Sequence, residues 1–448
     1  MPEEYPHVTV QLPVYNELYV IERLIETVAN FDYPSDKLEI QVLDDSTDET
    51  VEIIANKIKE IVSKGIDIIH VRRPERKGFK AGALAYGTDI AKGEFIAIFD
   101  ADFVPRKDFL LKTIPYFKNE KIGVVQTKWE HLNEDYSMLT KLQAFGLDAH
   151  FTVEQVGRNS GGHFINFNGT AGIWRKECIY DAGGWQSDTL TEDLDLSYRA
   201  QGRGWEFKYL EDFGSPAELP AVMNALKSQQ YRWTKGAAET ARKNLWKVFK
   251  SKSISFNTKI HALFHLMNSF IFICIVTTAL LSVPVLWIKH DYPEYNILFN
   301  IAAVLLLSLI FLSIYYYMSR LGLKSDKGKA SREFIKYFPM FLSVSMGLSL
   351  HNAVAVFEGY IGRKTPFVRT PKFNVNEKSD SWKNNKYASV KISPIIVFEF
   401  LFALYALGGI VYGIIIKDFG LMPYHLMLLV GFSFVFIYSL KDYRLGAK

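Results

Sequence analysis

Asp100 and Asp102, two aspartates one residue apart, are the residues whose type and spacing point most directly to chemistry. They follow the short apolar run 95–99, which has the pattern of a buried strand in a parallel sheet. Open α/β sheets bind ligands at the carboxyl ends of their strands, so a site is expected here. Two such carboxylates on a partly open site suit Mg²⁺ or Mn²⁺, which keep other positions for a diphosphate. A solvated turn is the structural alternative for an isolated Asp-x-Asp.

Carboxylates and cations also follow the neighbouring predicted strands, at residues 8–12, 38–43 and 66–71. The candidate residues after these strands are, in chain order, Pro13, Tyr15 and Glu17, then Asp44 and Asp45, then Arg76 and Lys80 in a basic, glycine-spaced loop. The carboxylates can accept hydrogen bonds from a nucleoside, and the cations can neutralise its diphosphate. Helix capping and a solvated face would explain each residue singly. Their joint occurrence at successive strand ends favours a nucleotide-sugar site.

Helical spacing of apolar residues predicts helices over 18–28, 49–62 and 139–153, the second capped by Asp48 or Thr47. A fifth strand is predicted at 123–129. Strands and helices that alternate at these intervals indicate a doubly wound, mostly parallel α/β sheet. No Gly-x-Gly-x-x-Gly follows the first strand, so a dinucleotide-binding domain lacks its phosphate loop.

The Gly- and Asn-rich run 161–172 lets backbone approach a ligand closely, and it is a candidate acceptor cleft. Within it Asn168 and Thr170, which flank Gly169, have side chains suited to sugar hydroxyls. A hairpin linker is the alternative. His163 in the same run is expected to be a packed or hydrogen-bonded histidine rather than a catalyst.

Thr191 is predicted to cap a helix whose first turn holds Glu192 and Asp193. A carboxylate there is stabilised in its ionised form by the helix dipole, as a general base must be. An ordinary capped helix is the alternative. Further on, Arg232 offers a cation for a diphosphate and Trp233 a flat face for a sugar ring, while an interfacial membrane helix would use the same residues as anchors.

Composition divides the chain into a charged part, residues 1–255, and an apolar part, residues 256–448. A net charge of +4, with no basic run interleaved with aromatics, excludes a nucleic-acid partner. The two cysteines, Cys178 and Cys274, lie in different regions, so no disulfide is expected and a reducing cytoplasm fits. No apolar stretch resembling a cleaved signal peptide precedes the first strand.

Four stretches have the length and apolarity of membrane crossings, at residues 263–288, 297–318, 395–416 and 421–440. The run 334–357 is less apolar, and basic residues flank it on both sides. By the positive-inside rule both flanks face the cytoplasm, which predicts an interfacial or re-entrant segment, four crossings and a cytoplasmic catalytic domain. A fifth crossing is the alternative. The flanking cations are Arg320, Lys324, Lys327, Lys329 and Arg332 before the run, and Arg363, Lys364, Arg369, Lys372, Lys378, Lys383, Lys386 and Lys391 after it, with Lys441, Arg444 and Lys448 in the tail.

Taken together these stretches resemble the membrane-bound family 2 glycosyltransferases. Their signature is an Asp, an Asp-x-Asp, a Thr-Glu-Asp and a Gln-x-x-Arg-Trp, which stand here at 44–45, 100–102, 191–193 and 229–233. Within that family the chain looks most like plant cellulose-synthase-like A and C proteins, which make β-mannan, glucomannan and β-glucan backbones, and it is also similar to bacterial cellulose synthase catalytic subunits. Residues 41–48, 80–84, 151–155 and 167–175 carry the closer match.

The resemblance implies a GT-A fold and an inverting, Mg²⁺- or Mn²⁺-dependent transfer of hexose from UDP-glucose or GDP-mannose to a β-linked, β-1,4 polysaccharide. It implies these roles: Asp193 as base; Pro13, Tyr15, Glu17, Asp44, Asp45, Lys80, Asp100 and Arg232 for the donor; Asn168, Gly169, Thr170, Glu192, Gln229 and Trp233 for the acceptor; and Asp100 and Asp102 for the metal. Family members usually carry an amino-terminal membrane helix, and no such stretch precedes the first strand here. A multi-pass protein is expected, in the plasma membrane of a bacterium or archaeon or in the Golgi of a eukaryote.

The stretch 367–372 is loosely similar to the gating loop of cellulose synthases, with a plain basic loop as the alternative. Two other functions compete with polymer synthesis. One is transfer of a single sugar to a lipid acceptor, which the same motifs would serve. The other is a catalytically dead scaffold that binds nucleotide or sugar, and intact Asp100, Asp102, Asp193 and Arg232 argue against it. The sequence specifies neither the donor nor any accessory subunit.

Overall fold

The apolar runs form one mixed, mostly parallel sheet in the computed structural model, which describes residues 4–382, 385–387 and 393–446. Lys383, Lys391 and Lys448 of the charge argument lie outside the described residues. The strand order is β3-β2-β1-β4-β6-β5-β7, and β6 runs antiparallel to both of its neighbours. The strands are β1 (Val8–Val14), β2 (Leu38–Asp44), β3 (Ile68–Val71), β4 (Phe95–Ile98), β5 (Ile122–His131), β6 (Gly172–Arg175) and β7 (Glu206–Ala217).

The first eight helices cover the sheet, and the remaining helices follow β7. The first group is α1 (Ile21–Ala29), α2 (Thr50–Ser63), α3 (Phe79–Ile90), α4 (Phe109–Thr113), α5 (Met138–Ala149), α6 (Gln155–Ser160), α7 (Lys176–Asp181) and α8 (Glu192–Gly202). The second group is α9 (Met223–Lys250), α10 (Phe256–Leu266), α11 (Ile271–Asp291), α12 (Asn296–Ala303), α13 (Leu307–Leu323), α14 (Lys327–Gly347), α15 (Ser349–Ile361), α16 (Ile395–Ile415) and α17 (Met422–Gly446).

Strand β4 illustrates how the sheet divides two cores. Its side chains alternate, so Phe95 and Ala97 pack into one apolar cluster and Ile96 and Ile98 into the other. Because both faces are covered, the strand reads as an unbroken apolar run, and this is why the sequence predicted it correctly. The predicted α/β fold with its mostly parallel sheet is confirmed.

Local details differ from the predictions in two places. The helix predicted over 139–153 ends at Ala149 and passes through a π-helical turn, His150–Glu154, before α6 begins. Thr191 precedes α8 as expected, but its hydroxyl makes no cap and lies 3.3 Å from that of Thr240. Asp48 does accept the N–H of Thr50, the first residue of α2, at 3.0 Å.

Four helical segments in the described part of the chain are long and apolar enough to cross a membrane: Asn268–Asp291, Pro293–Leu323, Ile395–Ile415 and Met422–Arg444. Helices α14 and α15 pass the same test only as a pair, and they are bent by 51° at Leu348. The bend has the geometry of a re-entrant segment and equally of a broken fifth crossing, so the four-crossing topology stays a prediction.

A cysteine at exposed Lys378, in a Cys178→Ser, Cys274→Ser background, tests that topology. Both native cysteines are free, and Cys178 is buried. If both flanks of the α14–α15 pair are cytoplasmic, a membrane-impermeant maleimide will label this cysteine only in inverted vesicles. Labelling in sealed, right-side-out vesicles would contradict four crossings and support five.

Candidate active site

A cavity of about 180 Å³ lies where β1, β2 and β4 end and where α8 begins. Nearly all the predicted site residues meet in its wall, although they come from positions far apart in the chain. The predicted residues lining it are Pro13, Tyr15, Glu17, Asp45, Lys80, Asp100, Asp102, Asn168, Gly169, Glu192, Asp193, Gln229, Arg232 and Trp233.

Asp44 and Thr170 are the two predicted residues that do not line this cavity. The buried Asp44 carboxylate lies 2.8 Å from Nε2 of His70 and accepts the N–H of Ser46, so it shapes the turn that presents Asp45. The hydroxyl of Thr170 is buried and accepts the N–H of Asp100 at 2.9 Å, so it holds Asp100 in place instead of facing a sugar. The sequence identified the correct turns, but it could not say which side chain of each turn points inward.

Paired charges dominate the cavity. The ammonium of Lys80 lies 2.5 Å from Asp100 and that of Lys372 lies 2.5 Å from Asp102. Burial disfavours the charged form of Lys80, but the carboxylates around it, Asp100 foremost, outweigh this and raise its pKa. Both aspartates of the Asp-x-Asp are therefore already arranged to hold a positive charge.

Glu17 is neutralised from the same distant loop that supplies Lys372. Its carboxylate lies 2.8 Å from the Arg369 guanidinium. Burial raises the pKa of Glu17 to about 7, although Arg369 and Lys372 oppose that shift. No local sequence pattern predicts this pair, because it joins residues more than three hundred positions apart.

Glu192 and Asp193 are the two acidic residues of α8 that line the described part of the cavity. They lie at the N-terminal end of this helix, where the helix dipole is positive. Burial, reinforced by the neighbouring Glu192 carboxylate, raises the pKa of Asp193 to about 7. Burial also raises the pKa of Glu192. A carboxyl group with this pKa can take up a proton near neutral pH, which is what a general base does.

Gly169 allows the backbone to pass beside that carboxylate. Its φ is +79°, a left-handed conformation that favours glycine, and a Cβ at this position would lie 2.9 Å from Oδ2 of Asp193. Its carbonyl accepts a hydrogen bond from Lys80 at 2.9 Å. The missing side chain of Gly169 thus leaves room for the Asp193 carboxylate, and its carbonyl oxygen holds the Lys80 ammonium.

The stretch 367–372 lies over the cavity. Phe367 stacks on Phe79 with ring centroids 5.6 Å apart, and the Arg232 guanidinium lies 4.9 Å from the Phe367 ring. Arg232 also donates to the hydroxyl of Thr370 at 2.7 Å. Immediately after this stretch, Glu218 accepts the N–H groups of residues 373 and 374, both at 3.0 Å, which anchors its end.

Several buried donors facing the cavity have no hydrogen-bond partner among the described residues. They are the Nδ2 of Asn168, the Nε atoms of Arg76 and Arg232, and the indole N–H of Trp129. Unpaired buried donors are costly, and acceptor-rich groups such as phosphate or sugar oxygens would satisfy them. Trp129, the last residue of the predicted fifth strand, and His131, just beyond it, also line the cavity, but no motif in the sequence marked either as a site residue.

The carboxylates of Asp100 and Asp102 are oxygen ligands of the kind that Mg²⁺ and Mn²⁺ prefer. Among residues 4–382, 385–387 and 393–446, no group of three or more His, Cys, Asp or Glu side chains could hold a metal ion. The two carboxylates fit such an ion when a bound diphosphate supplies further oxygens, which is how Mg²⁺ is commonly held.

Two further cavities lie between this site and the apolar helices. One of about 340 Å³ shares Asp193, Asn168, Trp129 and Trp233 with the first and reaches Phe272 of α11. The other, of about 1250 Å³, shares Trp233 with both and is lined by residues of α5, α11, α13 and α14. The three cavities therefore adjoin from Asp193 to the membrane helices.

Comparison with known proteins assigns the family. A model described as glycosyltransferase like family 2 matches residues 6–236, more than half of the chain. The chain belongs to this glycosyltransferase family. The predicted resemblance to the family 2 glycosyltransferases is confirmed.

Curated relatives give the subfamily. The chain is 34% identical over 399 residues to glucomannan 4-beta-mannosyltransferase 9 of Arabidopsis thaliana, covering 85% of this chain and 70% of the relative. It is 42% identical over 294 residues to probable glucomannan 4-beta-mannosyltransferase 4 of Oryza sativa subsp. japonica, covering 62% of this chain and 54% of that protein. The chain spans about half the length of several rice relatives it matches.

The fold has a counterpart among solved structures. It superposes with a TM-score of 0.55 on the mannosyltransferase PcManGT from Pyrobaculum calidifontis, solved in complex with GDP-Man and Mn²⁺. The match covers 81% of this chain and 89% of that one at 20% identity. At that identity the likeness bears on the fold, which is GT-A-like.

Replacing Gly169 with alanine will reduce glycosyl transfer. The added Cβ would displace the Asp193 carboxylate by a few tenths of an ångström or more, and misplacing a catalytic group by 1 Å can cost about 10²-fold in rate. Gly184→Ala is the matched control, because Gly184 has a similar φ of +70° but nothing within 4 Å of an added Cβ. Steady-state rates of the two variants, with thermal stability measured in parallel, test this. Equal loss of activity in both would refute the contact with Asp193.

Proposed function

We propose that this chain transfers a hexose from a nucleotide sugar to the growing end of a β-linked, β-1,4 polysaccharide at a membrane, with inversion at the anomeric carbon. The observation that carries the proposal is the row of adjoining cavities from Asp193 to the membrane helices. A polymer extended beside Asp193 would meet these adjoining cavities in the direction of the bilayer. The names of the curated relatives favour mannose as the transferred sugar.

The donor would lie against the strand ends. Tyr15, Glu17 and Asp45 are in position for the nucleoside, and the Lys80 and Arg232 cations for its diphosphate. The Arg76 guanidinium sits over the Tyr15 ring at 3.3 Å, which keeps that aromatic face rigid. Because Lys80 and Arg232 are buried, their charges would act on the leaving group at low dielectric, where they stabilise it most.

Asp193 would accept the proton of the acceptor hydroxyl as that oxygen attacks the anomeric carbon and the bond to the nucleoside diphosphate breaks. Trp233 and Trp129, with ring centroids 6.4 Å apart, would hold the terminal sugar ring, and Asn168, Glu192 and Gln229 would bind its hydroxyls. Closure of the 367–372 stretch would exclude water, which otherwise competes as the acceptor.

Asp100 and Asp102 would hold Mg²⁺ or Mn²⁺ together with the diphosphate. When bound, the ion would withdraw charge from the departing diphosphate as a Lewis acid. For the ion to bind, the ammonium groups of Lys80 and Lys372 would have to break their contacts with Asp100 and Asp102 and move towards the phosphate oxygens. Both lysines are long and flexible enough to do so while staying in the cavity.

Transfer of a single sugar to a lipid is the second candidate. The cavity of about 1250 Å³ includes Phe264, Phe270 and Ile271 in its wall, and an apolar wall suits an acyl or prenyl chain. Incubating membranes with radiolabelled GDP-mannose or UDP-glucose distinguishes the two. A product that is insoluble in organic solvent and digested by mannanase or glucanase supports the polymer, whereas an extractable glycolipid refutes it.

Asp193→Asn should abolish transfer while leaving donor binding intact. The amide keeps the shape of the side chain but cannot accept the proton, and losing a general base costs about 10²–10⁴-fold in rate. Donor affinity by calorimetry and product formation by nucleoside diphosphate release test this together. Asp212→Asn, on an exposed part of β7, is the control, and near wild-type transfer by Asp193→Asn would exclude its role as base.

The pH profile should report the same group. Because the pKa of Asp193 is raised to about 7, the reactive carboxylate is lost as pH falls through 7, and kcat/KM should drop about tenfold per pH unit on the acid side. Glu17 titrates in the same range, so the profile is compared with that of Glu17→Gln. An acid limb that stays flat down to pH 5 in the parent enzyme would contradict the assignment.

Asp102→Ala should weaken Mn²⁺ binding in the presence of nucleoside diphosphate. Removal of one of two protein carboxylates leaves the ion with too few fixed ligands. Electron paramagnetic resonance of bound Mn²⁺ measures this without turnover, and Asp108→Ala, a salt-bridged aspartate outside the cavity, is the control. Full activity of the parent enzyme in EDTA would exclude a metal.

A further inference from the structure

The end of α9 and all of α10 form a basic segment without acidic residues. From residue 240 to residue 290 the chain contains no Asp or Glu, while its cations are Arg242, Lys243, Lys247, Lys250, Lys252, Lys259 and Lys289. Only residues 267–270 separate α10 from α11, the first apolar helix long enough to cross a membrane. A run of one charge sign, immediately before a membrane helix, is typical of contact with a charged surface.

Large aromatic side chains project outward from this segment. Trp246 is 68% exposed and Phe256 is 76% exposed. The opposite side is packed, because Val248, Ala262 and Leu266 are buried in one cluster with residues of α8. The segment is thus amphipathic, with an aromatic outer face that no other described part of the chain covers.

Four of the lysines in this segment have no acidic partner among the described residues, in contrast to Lys243. Lys243 is neutralised by Asp188 and Asp195, at 2.6 Å and 3.0 Å. Among the described residues, no ion pair is formed by Lys247, Lys250, Lys252 or Lys259. Lys250 instead lies 5.2 Å from the centre of the Trp246 ring, so a cation and an aromatic plane are presented together.

We propose that this aromatic and basic face of α9 and α10 binds the anionic headgroups of the bilayer that holds α11. Tryptophan and phenylalanine settle at the boundary between headgroups and acyl chains, and lysines reach from there to lipid phosphates. The short link to α11 keeps the face close to the bilayer surface, which favours lipid over an acidic protein as its occupant. The proposal stands independently of the transferred sugar and of the metal.

Fluorescence quenching in nanodiscs that contain the full chain tests the proposal. Two discs have the same composition, about 20 mol% phosphatidylglycerol in phosphatidylcholine, and they differ only in which lipid carries the bromine quencher at equal total bromine. The chain has eight tryptophans, so the signal of Trp246 is taken as the difference from the Trp246→Phe variant. We expect brominated phosphatidylglycerol to quench Trp246 at least about twofold more than brominated phosphatidylcholine, and this preference to shrink in high salt.

The combined Lys247→Gln, Lys250→Gln and Lys252→Gln variant should lose the preference while Trp246 is still quenched. Lys59→Gln, Lys112→Gln and Lys118→Gln together remove the same charge from exposed positions around α2 and α4 and should leave the preference unchanged.

Equal quenching by both lipids in the parent protein would overturn the headgroup selectivity. Absence of any quenching of Trp246 would overturn the membrane contact itself and indicate a protein partner, and a preference that survives the triple substitution would overturn the role of these lysines.

Discussion

Opposite charges held together away from water at the carboxyl edge of the sheet are the constraint on which the site depends. Lys372 with Asp102 and Arg369 with Glu17 are largely buried pairs, and Lys80 with Asp100 is a half-buried one. An unpaired charge in such a place is strongly destabilising, so each pair fixes the element that brings its partner. The 367–372 stretch lies over the cavity because two of its cations, Arg369 and Lys372, neutralise carboxylates that follow β1 and β4.

The same ion pairs explain how the site can be formed before its ligand binds and can still change its internal contacts on binding. A nucleoside diphosphate brings negative charge to the cations, and a divalent ion brings positive charge to the carboxylates. In the proposed reaction both arrive together, so the internal pairs can separate without leaving any charge unpaired. The overlying stretch would then exchange its carboxylate contacts for contacts to phosphate, and its position would become coupled to whether donor is bound.

Much of this arrangement was predictable, because it depends on local sequence. An apolar run such as 95–99 specifies a buried strand, and the carboxyl end of a parallel strand specifies where Asp100 and Asp102 must lie. The direction of a side chain was not predictable. For this reason Asp44 and Thr170 were expected in the cavity wall, whereas they are buried behind it and hold the turns that present Asp45 and Asp100. The contact between Lys372 and Asp102 was also beyond reach, since 270 residues separate them and no local pattern marks either as the partner of the other. The antiparallel strand β6 was not predicted either, because its four residues are too few to show an alternation of apolar and polar side chains.

Helix α9 joins the chemistry to the membrane part of the protein. Near its start Lys227 is buried and bonds both carboxylate oxygens of Glu399, at 2.7 and 2.9 Å, as well as the hydroxyl of Ser439. Removing one partner of such a pair costs about 3–5 kcal/mol, so the start of α9 cannot drift from α16 and α17. Arg232 and Trp233 follow within two turns of the same helix, and a helix transmits displacement along its axis because its backbone bonds are continuous. Arg232 and Trp233, which line the cavity together with Asp193, are therefore positioned by the packing of the membrane helices as well as by the sheet, so a change in that packing would displace these two side chains.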